Sequence, residues 1–219
     1  MTGDNTEGGF NIAVGRQSLQ NNTTAGYNVA VGYRSANNNT TGTYVTGIGT
    51  YAAYSNTTGN IAAVGYEAGY NNTTGQGNTA LGRYRALYSN TTGGYNTAIG
   101  DNALYSNTTG TNNTCLGNTA GYTNTASSFN TFIGNAAGYT ANGSGATQLV
   151  YVGHNAGHLT TTAVLNTALG NQSMYSNTTG SQNTAVGYNT LQANTTGGNN
   201  TAIGSQALDA NSTGQNNVA

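Results

Sequence analysis

Residues that could do chemistry are scarce in this chain of 219 residues, and their spacing limits what it can do. The carboxylates are Asp4, Glu7, Glu67, Asp101 and Asp209, the imidazoles are His154 and His158, and the one thiol is Cys115. General acid–base work needs such groups to converge on a reacting atom, and a nucleophile needs a base beside it. These carboxylates are scattered and neither His nor Cys has a partner in the repeat frame, so the chain is not read as an enzyme. His154 and His158 would share a face only in a helix, whereas a coil puts them at different positions, which argues against a metal site. No cofactor is implied. The glycine-rich corners lack the Lys and the strand-to-helix context of a phosphate loop, and no acidic repeat of the calcium-binding type is present. Four arginines, no lysine and a formal charge of -1 give no electrostatic basis for binding nucleic acid or an anionic membrane surface. No stretch is apolar enough to span a bilayer, and no signal-peptide apolar region is seen at the N-terminus. Cys115 stands where neighbouring repeats have Ala and reads as a small filler.

What must position any functional residue is a repeat. Gly15, Gly32, Gly49, Gly65, Gly82, Gly100, Gly117, Gly134, Gly153, Gly170, Gly187 and Gly204 recur almost every 17 residues. Each unit reads Asn-Thr-Ala-aliphatic-Gly, then a short apolar pair, then Asn-Thr-Thr-Gly. A period this short with a fixed aliphatic site predicts an all-β chain: a parallel β-solenoid (β-roll) of about thirteen 17-residue coils, one domain over 1–219 with partial repeats at both ends. Coils stacked at ~4.8 Å would give a rod roughly 60 Å long. Both ends stop in mid-repeat, as expected of a segment or of a polymerising unit that continues end to end.

Position −1 relative to the ladder glycine is always aliphatic (Val14, Val31, Ile48, Val64, Leu81, Ile99, Leu116, Ile133, Val152, Leu169, Val186, Ile203). Alternation puts position −3 on the same side, so both are expected to form the core. Position −2, mostly Ala, would then face outward as a flat ladder that lets another chain approach, broken by Phe132 and Tyr151. The apolar pair after the glycine, as in Ala103-Leu104, reads as a second strand or bend, and Asn-Thr-Thr-Gly as a corner closed by an Asx-turn. So little aliphatic burial per coil cannot offset the entropy of ordering it, which points to oligomerisation. The stretch from Thr123 to Leu165 loses Asn-Thr-Thr-Gly and stretches the glycine spacing to 19, predicting a local bulge or loop.

Two side-chain rows carry candidate functions. Tyr54, Tyr70, Tyr105, Tyr122, Tyr139 and Tyr175 share position +5, and Tyr88 joins them after a one-residue insertion. They are read as a stacking ladder that shields a corner or, functionally, as a strip contacting glycans. Asn22, Asn39, Asn56, Asn72, Asn90, Asn107, Asn177, Asn194 and Asn211 head Asn-x-Thr triplets, serving as Asx-turn residues or as glycosylation acceptors. Arg83 and Asp101 follow the glycine in successive units and read as a solvated pair.

The Asn-Thr-Ala-aliphatic-Gly units, such as Asn96 to Gly100 and Asn183 to Gly187, resemble the head repeats of trimeric autotransporter adhesins and related phage-type and surface fibres. The resemblance implies a left-handed β-roll, trimerised through flat faces, serving as an adhesive outer tip. The unit here is longer than that family's, and the chain shows no heptad stalk or anchor barrel. The expected function is a structural or adhesive extracellular or cell-surface fibre element that self-assembles as a filament or homotrimer and presents or binds carbohydrate. The alternative is a soluble lattice-binding protein such as an ice-binding protein, which needs aligned outward Thr on a strand.

Overall fold

The computed structural model describes residues 8–142 and 145–219, and all regular structure in them is β. Twelve short strands follow the repeat: β1 (Ile12–Val14), β2 (Val29–Val31), β3 (Thr46–Ile48), β4 (Ile61–Tyr66), β5 (Asn78–Tyr84), β6 (Thr97–Ile99), β7 (Thr114–Leu116), β8 (Thr131–Ile133), β9 (Val150–Val152), β10 (Thr167–Leu169), β11 (Thr184–Val186) and β12 (Thr201–Ile203). The chain forms two compact units built from the same coil, divided at an Asn-Thr-Thr-Gly corner between Thr109 and Gly110. The first carries β1 to β6 and the second β7 to β12. Within each unit consecutive strands pair in parallel with like on like, as in Ile12↔Val29 and Thr167↔Thr184. A further partial coil is marked by the parallel bridge Thr201↔Val218. The parallel β-solenoid read from the repeat is the observed fold, with twelve strands among the described residues where about thirteen coils were expected.

Local chemistry fixes why the strands are so short. At the entry, Asn at position −4 turns its side chain inward: Asn183 Oδ1 accepts from the Asn200 amide N–H at 3.0 Å, and Asn183 Nδ2 donates to the Gly197 carbonyl at 2.8 Å. At the exit, the ladder glycine takes a backbone that L side chains avoid. Gly134 has φ +132°, and a Cβ on it would sit 2.5 Å from the Gly153 carbonyl oxygen in the next coil. Only glycine fits there. The apolar pair after the glycine is turn in the described residues, not a second strand, with left-handed residues at Leu104 (φ 52°) and just before the pair at Asn102 (φ 55°).

The inward face is the reverse of the one expected. Position −2 is buried: Ala30, Ala80, Ala98, Ala168, Ala185 and Ala202 lie inside with Cys115, Phe132 and Tyr151. Positions −3 and −1 point out, and Leu81, Leu116, Leu169 and Ile203 are all exposed. Alternation defines two faces without saying which is inside, and here the interior is narrow and already filled from other walls. Leucine from position +4 (Leu104, Leu191) enters opposite the Ala, and two columns of asparagine fill the ends of the coil.

Those amides do what aliphatic burial was expected to do. Asn90 Nδ2 donates to Asn72 Oδ1 at 2.7 Å and to the Gly93 carbonyl at 2.8 Å, while its Oδ1 accepts from Asn107 Nδ2 at 2.7 Å. Two of these buried bonds stitch a coil to its neighbours and the third closes its own corner, and bonds made to the buried amide offset the cost of hiding it. Asn90→Ala strands its neighbours' donor and acceptor groups in the interior. It is expected to cost about 2–4 kcal/mol, read as a drop in the melting temperature, whereas Thr92→Ala on the exposed corner should be nearly neutral.

The strand ladder continues through the irregular spacing. The wide spacing between Gly134 and Gly153 leaves the strands in register, with Thr131↔Val150, Phe132↔Tyr151 and Ile133↔Val152 paired. Residues 143 and 144 of the stretch expected to bulge or loop lie outside the described residues. The ladder is disturbed instead between β4 and β5, where the register shifts between Val64 and Tyr66 and brings Tyr66 opposite Tyr84.

Candidate interaction surface

Each strand of three residues presents two side chains outward, and stacking turns them into two columns. In the first unit the −1 column runs Val14, Val31, Ile48, Val64, Leu81, Ile99, and in the second Leu116, Ile133, Val152, Leu169, Val186, Ile203. These residues are exposed or half-buried throughout, reaching 63% exposure at Ile203. The −3 column beside it is largely threonine (Thr79 and Thr97; Thr114, Thr131, Thr167, Thr184 and Thr201), with Ile12, Val29 and Val150 as apolar substitutes. These threonine hydroxyls make no hydrogen bond among the described residues. A third row flanks the first coils: Phe10, Tyr27 and Tyr44 are stacked at 5.2 and 5.6 Å and strongly exposed. A regular aliphatic strip held open to water is the signature of an interaction face.

The tyrosine row stacks as expected. In the first unit Tyr54, Tyr70, Tyr88 and Tyr105 follow one another at 5.0, 5.2 and 5.2 Å between centroids. In the second, Tyr122 and Tyr139 stack at 5.2 Å, then His158 takes the tyrosine place, 5.1 Å from both Tyr139 and Tyr175. Face-to-face stacking leaves ring edges outward, and a sugar ring binds an aromatic through its face. The columns therefore offer little to a glycan and act as a seam joining coils. Partial burial, followed by the nearby Tyr54 phenol for Tyr70 and by Glu67 for Tyr88, raises the pKa of both phenols.

The Asn-x-Thr asparagines are where an Asx-turn needs them and a glycan cannot reach them. Asn39, Asn56, Asn72, Asn90, Asn107, Asn177 and Asn194 are fully buried and Asn22 nearly so, with Asn211 half-buried. Asn56 Nδ2, the atom a glycan would modify, donates to Asn39 Oδ1 and to the Gly59 carbonyl, both at 2.8 Å. A sugar on that nitrogen would replace the bonds that close the corner and could not fit inside the coil. In the folded chain these residues serve the Asx-turn reading.

The histidines and the thiol do not converge. His154 is exposed, His158 lies within the stack with its Nδ1 3.3 Å from the Ala136 carbonyl, and no group of three or more His, Cys, Asp or Glu able to hold a metal occurs among the described residues. Cys115 is buried in the −2 column, and burial pushes its thiol pKa up. Tyr151, also inside, is stacked on Phe132 at 5.5 Å with its hydroxyl 3.0 Å from Thr160 Oγ1, and burial pushes the phenol up to about 12.

Sequence reasoning missed a second relation, the matching of side-chain size across the coil. Where position −2 is Ala, position +4 is commonly Leu or Met; where it is Phe132 or Tyr151, position +4 is Gly138 or Gly157. A Cβ on Gly138 would meet the Phe132 ring at 2.6 Å. The same trade appears at Gly69, where a Cβ would lie 2.5 Å from Cδ1 of Ile61, a residue that replaces the usual Asn at position −4. The signal was available in the pairing of large residues with glycine six positions later. No helix among the described residues is long and apolar enough to cross a membrane. Comparisons with protein families, with characterised proteins and with solved structures find no match.

Proposed function

We propose that this chain is a structural element of an extracellular or cell-surface fibre, and that copies associate side by side through the outward faces of β1 to β12. The observation that carries the reading is the −1 aliphatic column, which stands in water in the single chain. Ordinary soluble monomers rarely display a contiguous apolar strip, and burying one against a second copy contributes at roughly 25 cal/mol per Å². A parallel ladder suits this use because like side chains repeat in register from strand to strand within each unit. The interior, filled by alanine, leucine and amides, leaves these aliphatics free to serve association. Adhesion, carried over from the resemblance to trimeric adhesin heads, belongs to the same proposal: the assembled element is a rigid spacer whose other surfaces meet the environment.

A second reading rests on the threonine column. The hydroxyls of Thr114, Thr131, Thr167, Thr184 and Thr201 face outward from strands in register, interrupted once by Val150, in the kind of array that a lattice-binding surface such as an ice-binding face uses.

Light scattering on the purified chain separates the two. The fibre reading expects a particle whose mass is a multiple of 22.1 kDa. Ile99→Asp with Leu169→Asp is expected to return it to a monomer with an unchanged melting temperature, since both side chains point away from the interior. A monomer that produces thermal hysteresis would replace this reading with the second. A monomer without it contradicts both.

A further inference from the structure

Residues 8–66 contain two arginines, Arg16 and Arg34, and no carboxylate. The other arginines of the chain are neutralised where they stand. Arg83 Nη2 lies 2.7 Å from Asp101 Oδ2, and Arg85 Nε lies 2.6 Å from Glu67 Oε2. Arg16 and Arg34 have no such partner among the described residues, yet they are not scattered. They occupy adjacent coils, with the Arg34 amide N–H donating to the Arg16 carbonyl at 3.0 Å, and both guanidiniums gather at one ring. The Cζ of Arg34 is 5.3 Å and that of Arg16 6.0 Å from the Tyr33 centroid. Arg34 Nε donates to Gln17 Oε1 at 2.7 Å, which fixes the guanidinium while leaving its terminal nitrogens available. Tyr51 closes the cluster, edge-on to Tyr33 at 5.3 Å.

We propose that this cluster, which follows the turn glycines Gly15 and Gly32 and borders the outward sheet face, binds the anionic group of an acidic saccharide. Two guanidiniums at one phenol ring bring two forked donor sets to the same place, and a single fork takes a carboxylate or phosphate in two parallel hydrogen bonds. The phenol hydroxyls of the half-buried Tyr33 and Tyr51 and the Gln17 amide nitrogen add hydrogen-bonding groups of the kind that meet sugar hydroxyls. Two cations on an otherwise charge-poor surface match a single acidic group. They do not match the closely spaced phosphates of a nucleic acid, whose binding needs a line of cations. Because Arg16 is exposed and water competes there, the contact is weak for one chain and sensitive to salt; repetition of the site in an assembly would raise it.

The test immobilises the full chain and measures retention of three polysaccharide probes: oligogalacturonate, phosphomannan and neutral mannan. Retention of at least one acidic probe over neutral mannan is expected, and the acidic arm that binds tells carboxylate from phosphate. It should fall about tenfold in Arg16→Gln/Arg34→Gln and fade as salt rises well above about 0.15 M. Arg16→Gln alone, at the exposed position, is the variant that leaves the Arg34–Gln17 bond untouched, and it should lose several-fold with an unchanged melting temperature. Retention of neither acidic probe, equal retention of neutral mannan, or undiminished binding by both variants would overturn the assignment. The Ile99→Asp/Leu169→Asp variant should bind at the same intrinsic strength per chain, so failure of the assembly reading and failure of this one are separately visible.

Discussion

Ala98→Asp is expected to abolish folding of the coils around it, while Ile99→Asp, one residue along, leaves the single chain folded. Ala98 is completely buried, facing the interior beside Ala80 of the preceding coil. A carboxylate there meets backbone and leucine with no cation to pair with, and an uncompensated buried charge exceeds about 4 kcal/mol of destabilisation. Each coil holds its neighbours through ladder bonds, so loss at one position spreads to adjacent coils. Far-UV circular dichroism and the melting temperature read both variants. If instead Ile99→Asp unfolds the chain and Ala98→Asp does not, the inward and outward faces are exchanged.

The next largest effect is a compensated one. Phe132→Ala empties a fully buried aromatic and should cost about 3–5 kcal/mol. Gly138→Leu places a side chain where a first carbon alone would lie 2.6 Å from the Phe132 ring, and it should be comparably damaging. The double variant Phe132→Ala/Gly138→Leu recreates the pairing of Ala98 with Leu104, whose backbone at φ 52° nearly matches the 58° of Gly138. It is expected to recover most of the loss, giving a favourable coupling of more than about 2 kcal/mol in chemical denaturation. Purely additive losses would show that the two walls of the coil do not share one volume.

These two results mark the border between what was legible in the residues and what was not. The period, the strand at each Asn-Thr-Ala-aliphatic-Gly and the corner at Asn-Thr-Thr-Gly could be read directly, because the ladder glycine and the turn asparagine are demanded by local backbone geometry. The inside of the coil could not be read the same way. Alternation is symmetric, and the habit of placing large aliphatics inward chose Ile99 over Ala98. That habit fails where hydrogen-bonded amides such as Asn72, Asn90 and Asn107 fill the interior. It also overlooked that Phe132 and Tyr151 are each six residues from a glycine. The tyrosine row was placed correctly because identical positions in stacked coils must meet, but its use depends on which part of the ring is left exposed. Arg16 and Arg34 carry no motif, and only the backbone brings them to Tyr33.

Placement of the aliphatic column outside the coil also turns the low apolar content from a stability problem into a statement about assembly. The interior is held by bonds that any single chain can make. The surplus of exposed Val, Ile and Leu then has no role in the isolated coil, and contact with another copy is the role proposed here for it.

Thiol accessibility at positions 98 and 99 tests that claim most directly, since Cys115 is buried and silent to labelling in the folded chain. In Ala98→Cys the new thiol should stay unreactive until the protein unfolds. In Ile99→Cys it should be protected in the native particle, form a disulfide between copies under mild oxidation, and react fully once the particle is dissociated to folded monomers. A thiol at position 99 that reacts at once in the native protein with no cross-linked product would contradict the account.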